Sequence, residues 1–241
     1  MSLLKLKQKY SYDNFLVLGC GPSLNDFTEY DIDKINGNIG SGLGMRTIAI
    51  KQALFKYPAA DIHVLNTCNM SDYTDIYNSK DADENFHTVF QIAYPEMPFY
   101  DITKYDTILP IIFVNDFYNS LTVRKDLHTW TFGINPAQRC WGPGLIYETV
   151  FYLCQYLGAK NIYTIGWDLG KNNSGRDHFY DSDICKTKIL NPAQPLEPEE
   201  TKREVELSRL FYEWLKSKGC NLYISSQNSL AHKDIPRIVC V

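Results

Sequence analysis

The chain contains no CxxC pair and an odd number of cysteines, seven, at positions 20, 68, 140, 154, 185, 220 and 240. That excludes a disulfide scaffold and a structural zinc site, both of which need paired or closely spaced ligands. Reduced thiols point to the cytoplasm, either free or peripheral at the inner face of the membrane. No run reaches the roughly 18 apolar residues of a membrane-spanning helix, so no transmembrane segment is expected. The opening MSLLKLKQKY lacks the sustained apolar stretch of a secretory signal, and no leader is expected. Neither sign of charge dominates: 24 Lys and Arg stand against 28 Asp and Glu, a net charge of −4, which gives no reason to expect nucleic acid as a partner. Internal repeats and low-complexity tracts are absent. So are HExxH, GxSxG, GxGxxG and a P-loop ending in GK[ST], and with them the signatures of zinc peptidases, serine hydrolases, dinucleotide enzymes and Walker-type ATPases.

What is present is an ordinary globular composition, 44% hydrophobic and 22% charged over 241 residues. The aromatic share of 14% suits core packing, or a cleft that stacks on a base or sugar. Residues 15–19 form a continuous apolar run ended by glycine and read as a buried strand. Residues 44–57 have helical spacing, with Pro58 as the stop. Residues 61–66, 87–94 and 108–116 read as strands. In 141–170, Leu145, Tyr147, Val150, Phe151, Cys154 and Leu157 follow helical spacing, Gly158 fits the position after the helix, and 161–166 is a strand. Residues 197–219 form a long helix with acids first and bases last, and 221–226 a last strand. Strands alternating with helices predict an α/β, Rossmann-like fold: a mostly parallel sheet with helices on both faces. A single domain over 1–241 is expected, with a lid around 171–196.

In such sheets ligands bind beyond the carboxyl ends of the strands. Four small polar groups follow predicted strands and would share one rim: Gly19-Cys20-Gly21-Pro22-Ser23-Leu24, Asn66-Thr67-Cys68-Asn69, Gly166-Trp167-Asp168-Leu169 and Ser225-Ser226-Gln227-Asn228-Ser229. Gly19 and Gly21 leave main-chain amides approachable, Pro22 fixes the turn, and Ser23 offers a hydroxyl. The stretch reads equally as an anion-binding turn and as a tight structural one. Asp168 could hold a sugar or ribose hydroxyl, bind a cation, act in catalysis, or cap a turn. His178, in the polar stretch KNNSGRDHFYD, is a candidate general base. Arg139 has the planar fork that suits phosphate or carboxylate. The Gly-rich NIGSGLGMR, with Ser41, sits where a second strand would end and would allow close approach of a ligand.

Together these stretches resemble a known group. LVLGCGPSL is similar to the G-x-GPSL motif of the bacterial family 42 sialyltransferases. The motif is shared by DUF115 proteins, which include archaeal hydroxymethylpterin diphosphokinases and motility accessory factors linked to flagellin glycosylation. GLIYETVFYLCQYLGAKNIYTIGWDLG resembles the helix–strand–G-x-D unit of both groups, and NLYISSQNSL the late LY…NSL stretch of the sialyltransferases. The resemblance implies CMP-sialic acid as donor, a glycan or other hydroxyl as acceptor, and no cofactor. It places the nucleotide on Gly19, Cys20, Gly21, Pro22, Ser23, Asn66 and Gly166, with Tyr180 near the phosphate. Catalytic roles fall to His178, Asp168 and Arg139, and no residue is assigned to a metal. Cys20 stands where the sialyltransferases have asparagine, and no histidine lies between 179 and 231. The DUF115 alternative implies ATP and Mg²⁺ acting on a pterin alcohol; a non-catalytic nucleotide-sugar-binding domain is a third. An oligomer is compatible with each.

Overall fold

A computed structural model describes residues 3–28, 44–66, 86–92, 105–110, 112–113, 140–141, 145–170, 178–181 and 198–238. Its centre is β1 (Asn14–Leu18), in which all five residues are buried. A strand covered on both faces needs no polar alternation, which is why it reads as one apolar run. Phe15 and Val17 face one core cluster, Leu16 and Leu18 the other.

β1 is flanked by β2 (Arg46–Ile50) and β8 (Asn161–Ile165), both parallel to it. The sheet continues through β3 (Ile62–Asn66), β4 (His87–Ile92) and β5 (Thr107–Pro110) on one side and β9 (Asn221–Ile224) on the other. The order of its seven strands is β5-β4-β3-β2-β1-β8-β9, and every described pair is parallel. This is the expected α/β, Rossmann-like architecture. The order reverses between β1 and β8, the point at which doubly wound sheets open a crevice.

One face is covered by α1 (Leu3–Tyr10), α3 (Leu145–Tyr156) and α4 (Pro198–Ser217), through Leu6, Tyr10, Val150, Phe151, Phe211, Trp214 and Leu215. The other is covered by the short α2 (Ala53–Lys56), by a 3-10 turn over Pro22–Asp26 and by Phe179 and Tyr180. Among the described residues no helix is long and apolar enough to cross a membrane, and Cys20, Cys154 and Cys220 are free thiols.

Three expectations change. The helix expected over 44–57 is strand β2 followed by the four-residue α2. Thr47, Ile48, Ala49 and Ile50 are all buried, three of them β-branched, and a strand between two neighbours accepts that run better than a helix with an exposed face. The Gly-rich segment at 38–46 therefore precedes β2 and its last residue, Arg46, opens that strand; Ser41 within it lies outside the described residues. The strand expected over 108–116 divides: β5 ends at Pro110, and β6 (Ile112–Phe113) pairs instead with β7 (Cys140–Trp141) in a separate two-stranded sheet. Proline has no amide hydrogen to give a ladder, which suits a strand end. Helix α1, which the sequence reading did not expect, buries Leu6 and Tyr10 completely or nearly so.

At the amino edge of the sheet, Asn14, Asn161 and Asn221 are in register on β1, β8 and β9. Their amides form a ladder: Asn161 Nδ2 donates to Asn14 Oδ1 at 2.9 Å, and Asn221 Nδ2 to Asn161 Oδ1 at 3.0 Å. Asn161→Ala removes both rungs and strands a buried acceptor on Asn14, so a loss of about 2 kcal/mol is expected in urea unfolding. Asn221→Ala, at the exposed end, should cost clearly less. Equal losses would show that the ladder carries no cooperative weight.

Candidate functional site

The site grows from the ends of β1 and β8. Gly19 N donates to Ile165 O at 2.8 Å and Gly21 N to Gly166 O at 2.7 Å, so the ladder runs on past the strands into the two turns. Such closeness requires glycine. A β-carbon on Gly21 would lie 2.4 Å from Asp168 Oδ2, and one on Gly19 1.8 Å from the Tyr147 hydroxyl oxygen. Gly166 adopts φ +73°, and a β-carbon there would meet the Gly19 carbonyl oxygen at 2.3 Å.

Side chains then bind the turns to each other. Ser23 N donates to Asp168 Oδ2 at 2.8 Å, while Gly166 N donates to Ser23 Oγ at 3.0 Å. Tyr147, from α3, donates its hydroxyl to Gly166 O at 2.8 Å. Burial first, and the neighbouring Cys20 and Asp168 next, push the Tyr147 hydroxyl well above the usual phenol range, so it stays a proton donor. Leu24 N donates to Gly21 O.

The amide hydrogens of Gly19, Gly21, Ser23 and Leu24 thus each have a partner inside the protein, and Pro22 has none to give. The turn is latched to its neighbour through these bonds, which commit four of the amides offered for an anion. It forms a rigid floor at the switch point. Asp168 is 6% exposed; one carboxylate oxygen caps Ser23, and the other, Oδ1, is buried without a hydrogen-bond partner among the described residues. An orphaned carboxylate oxygen at such a place is suited to a ligand hydroxyl.

The carboxyl-terminal stretch supports the floor from behind. Ser229 Oγ donates to Trp167 O at 2.6 Å and Leu230 N to Asp168 O at 2.8 Å. The Trp167 ring packs against Tyr147 and Phe151. Arg237 gathers this stretch: its guanidinium donates to the main-chain carbonyls of Ser229, Ala231, His232 and Ile235.

On the other side, Phe179 N donates to Cys20 O at 2.9 Å, and Asn25 Nδ2 to Phe179 O at 2.9 Å. Residues 178–181, inside the expected lid, are therefore tied to the turn. Tyr180 is 1% exposed, its ring packed into the core. His178 is half-buried and lies parallel to that ring, 4.8 Å between centroids.

The structure thus brings Gly19, Cys20, Gly21, Pro22, Ser23, Gly166 and Asp168 together, with His178 and Tyr180 on the adjoining segment. Asn66 ends β3, separated from β1 by β2. Arg139 and Ser41 lie outside the described residues. The sequence reading missed two residues at the end of β2. Gln52 is fully buried; its Oε1 lies 3.7 Å from the Cys20 sulfur, and its Nε2 has no partner among the described residues. Lys51 has φ +45°, unusual for a residue with a β-carbon. Reading 44–57 as helix hid both, since the end of a strand is what marks a rim residue. Burial pushes the Cys20 thiol up to about 11, which keeps it protonated.

No family model matches the chain, and no curated protein matches it in sequence. Solved structures do match in three dimensions. The sialyltransferase CstII from Campylobacter jejuni, in complex with the substrate analogue CMP-3FNeuAc, has a TM-score of 0.51 at 14% identity, over 93% of this chain and 86% of that one. The monofunctional alpha-2,3-sialyltransferase Cst-I from Campylobacter jejuni has 0.51 at 15%, over 95% and 81%. The MAf glycosyltransferase from Magnetospirillum magneticum AMB-1 has 0.52 at 14%, over 95% of this chain and 34% of that one. What this chain shares with these proteins is the fold: a Rossmann-like α/β sheet of the kind found in sialyltransferases and in a larger glycosyltransferase.

Proposed function

We propose that the protein is a glycosyltransferase that takes its sugar from a nucleotide-activated donor, with CMP-sialic acid as that donor. The observation that carries the reading is the placement of the two turns with family-like motifs, Gly19–Ser23 and Gly166–Asp168, locked together at the switch point of the sheet, where such folds bind nucleotides. Likeness of fold to sialyltransferases supports it, as does the order of the GPSL, G-x-D and NSL motifs. Membership of family 42 and the link to DUF115 belong to this reading.

In the reaction, an acceptor hydroxyl attacks the anomeric carbon as the bond to the phosphate oxygen breaks. His178 takes the hydroxyl proton. Arg139 meets the charge that builds on the departing phosphate, where fixed donors lower a barrier most. Asp168 Oδ1 accepts from a hydroxyl of the nucleotide ribose. No metal is assigned a role.

The test is hydrolysis of CMP-sialic acid by the wild type and by Arg139→Ala. A loss on the order of 10²- to 10³-fold is expected in the variant, as for removal of a transition-state donor. Equal background rates in both would refute the sialyltransferase reading. A thermal-shift series with CMP, CDP, UDP and ATP then separates the alternatives: stabilisation by ATP with Mg²⁺ alone points to the diphosphokinase, and stabilisation by CMP without turnover to a binding domain.

A further inference from the structure

With the amides of Gly19, Gly21, Ser23 and Leu24 committed inside the protein, a nucleotide's phosphate placed at the floor is better met by a side-chain cation. We infer that Lys51 is a further residue that receives the donor's phosphate, in addition to Arg139, an assignment that rests on the nucleotide-sugar reading above.

Three observations converge on it. The first is position. Lys51 directly follows β2, the strand beside β1, and stands at the same carboxyl edge as the turn. The Cys20 sulfur lies 3.2 Å from Ile50 O and 3.7 Å from Gln52 Oε1, the residues on either side of it. The ammonium charge is close enough to act on the Cys20 thiol, favouring its ionised form against burial.

The second is strain. Among the described residues only Lys51 and Leu169 combine a side chain with positive φ, and both sit at this rim. A left-handed backbone at a residue other than glycine is held only where its surroundings enforce it, and such residues gather at ligand sites. Here the enforcement is visible. Lys51 N donates to Val64 O at 2.9 Å, and its carbonyl accepts Leu54 N at 3.2 Å and the fully buried His63 Nε2 at 2.9 Å. A glycine would relieve the strain; the chain keeps a lysine and builds a buried imidazole beneath it.

The third is charge. Among the described residues no carboxylate pairs with the Lys51 ammonium, so no fixed partner there neutralises its charge. An unpaired cation on a strained, well-braced backbone beside a nucleotide-type crevice is suited to a mobile anion, which arrives with the substrate and leaves with CMP.

The experiment compares CMP with cytidine, which lacks only the phosphate, by calorimetry on the wild type, Lys51→Asn and Lys51→Arg. Asparagine tolerates the left-handed conformation and removes the charge; arginine keeps it. The expected result is that Lys51→Asn weakens CMP about 10-fold or more, the size of a lost charge-assisted contact, and leaves cytidine unchanged, while Lys51→Arg retains most of the CMP affinity. The advantage of CMP over cytidine should also shrink as salt rises. CMP binding equal in Lys51→Asn and wild type overturns the assignment and leaves the nucleotide reading standing. Equal weakening of CMP and cytidine overturns it too, since the lysine would then only shape the rim. A wild type that binds neither compound overturns both readings.

Discussion

Gly21→Ala should melt about 10 °C below the wild type. The methyl group would enter 2.4 Å from Asp168 Oδ2 and 2.6 Å from Gly166 O, neither of which can withdraw without surrendering its own bond. Asp168 would release Ser23 N; Gly166 O would release Gly21 N and the Tyr147 hydroxyl. Overpacking of this kind combined with orphaned polar groups costs about 3 kcal/mol or more, and a chain of this size moves roughly 2–4 °C per kcal/mol. Gly158→Ala is the control. Nothing lies within 4 Å of a β-carbon there, and only the positive φ of +99° opposes it, a cost of about 1–2 kcal/mol. If differential scanning fluorimetry gives the two variants the same midpoint, the turn is looser than its hydrogen bonds imply.

Acid should destabilise the fold well before its carboxylates protonate. His63 is fully buried, and burial holds its imidazole down from 6.5 to about 3, the bond to Lys51 O only partly offsetting this. His87, 1% exposed, is held down to about 4 by burial, against the pull of Asp106. Both are neutral in the native state, and each takes up a proton near pH 6.5 once unfolded. Between that value and the native one the unfolded chain binds more protons, so stability is fully present above pH 6.5 and falls as the pH drops. For His63 the loss at pH 5 is about 2 kcal/mol, with a similar amount for His87. Urea unfolding between pH 7.5 and 4.5 measures it, and His63→Gln should flatten the slope. A wild-type stability that stays level from pH 7 to 5 would mean that the imidazoles open to water in the native state.

The rim could be read from the sequence because its signals are local. Apolar runs ended by Gly19 and Gly166 declare strands that stop, and a parallel sheet brings their ends to one edge. Lys51 and Gln52 escaped because their strand has no such signal. RTIAI followed by KQALFKY carries apolar residues at intervals that suit a helix as well as a buried strand, and only the neighbours β1 and β3 decide between them. The commitment of the turn's amides was not legible at all. It depends on Gly166 and Asp168, more than a hundred residues along the chain, and no spacing rule tells a cradle from a latch when the partner arrives from so far away.

Arg237 has a consequence for how the protein can be handled. Its guanidinium meets four carbonyls and, among the described residues, no carboxylate, a geometry that a lysine, with three tetrahedrally spread hydrogens, cannot reproduce. Arg237 is therefore a keystone: removing it would unfasten Ser229 and Leu230 and let the Trp167–Asp168 peptide drift beside the switch point of the sheet.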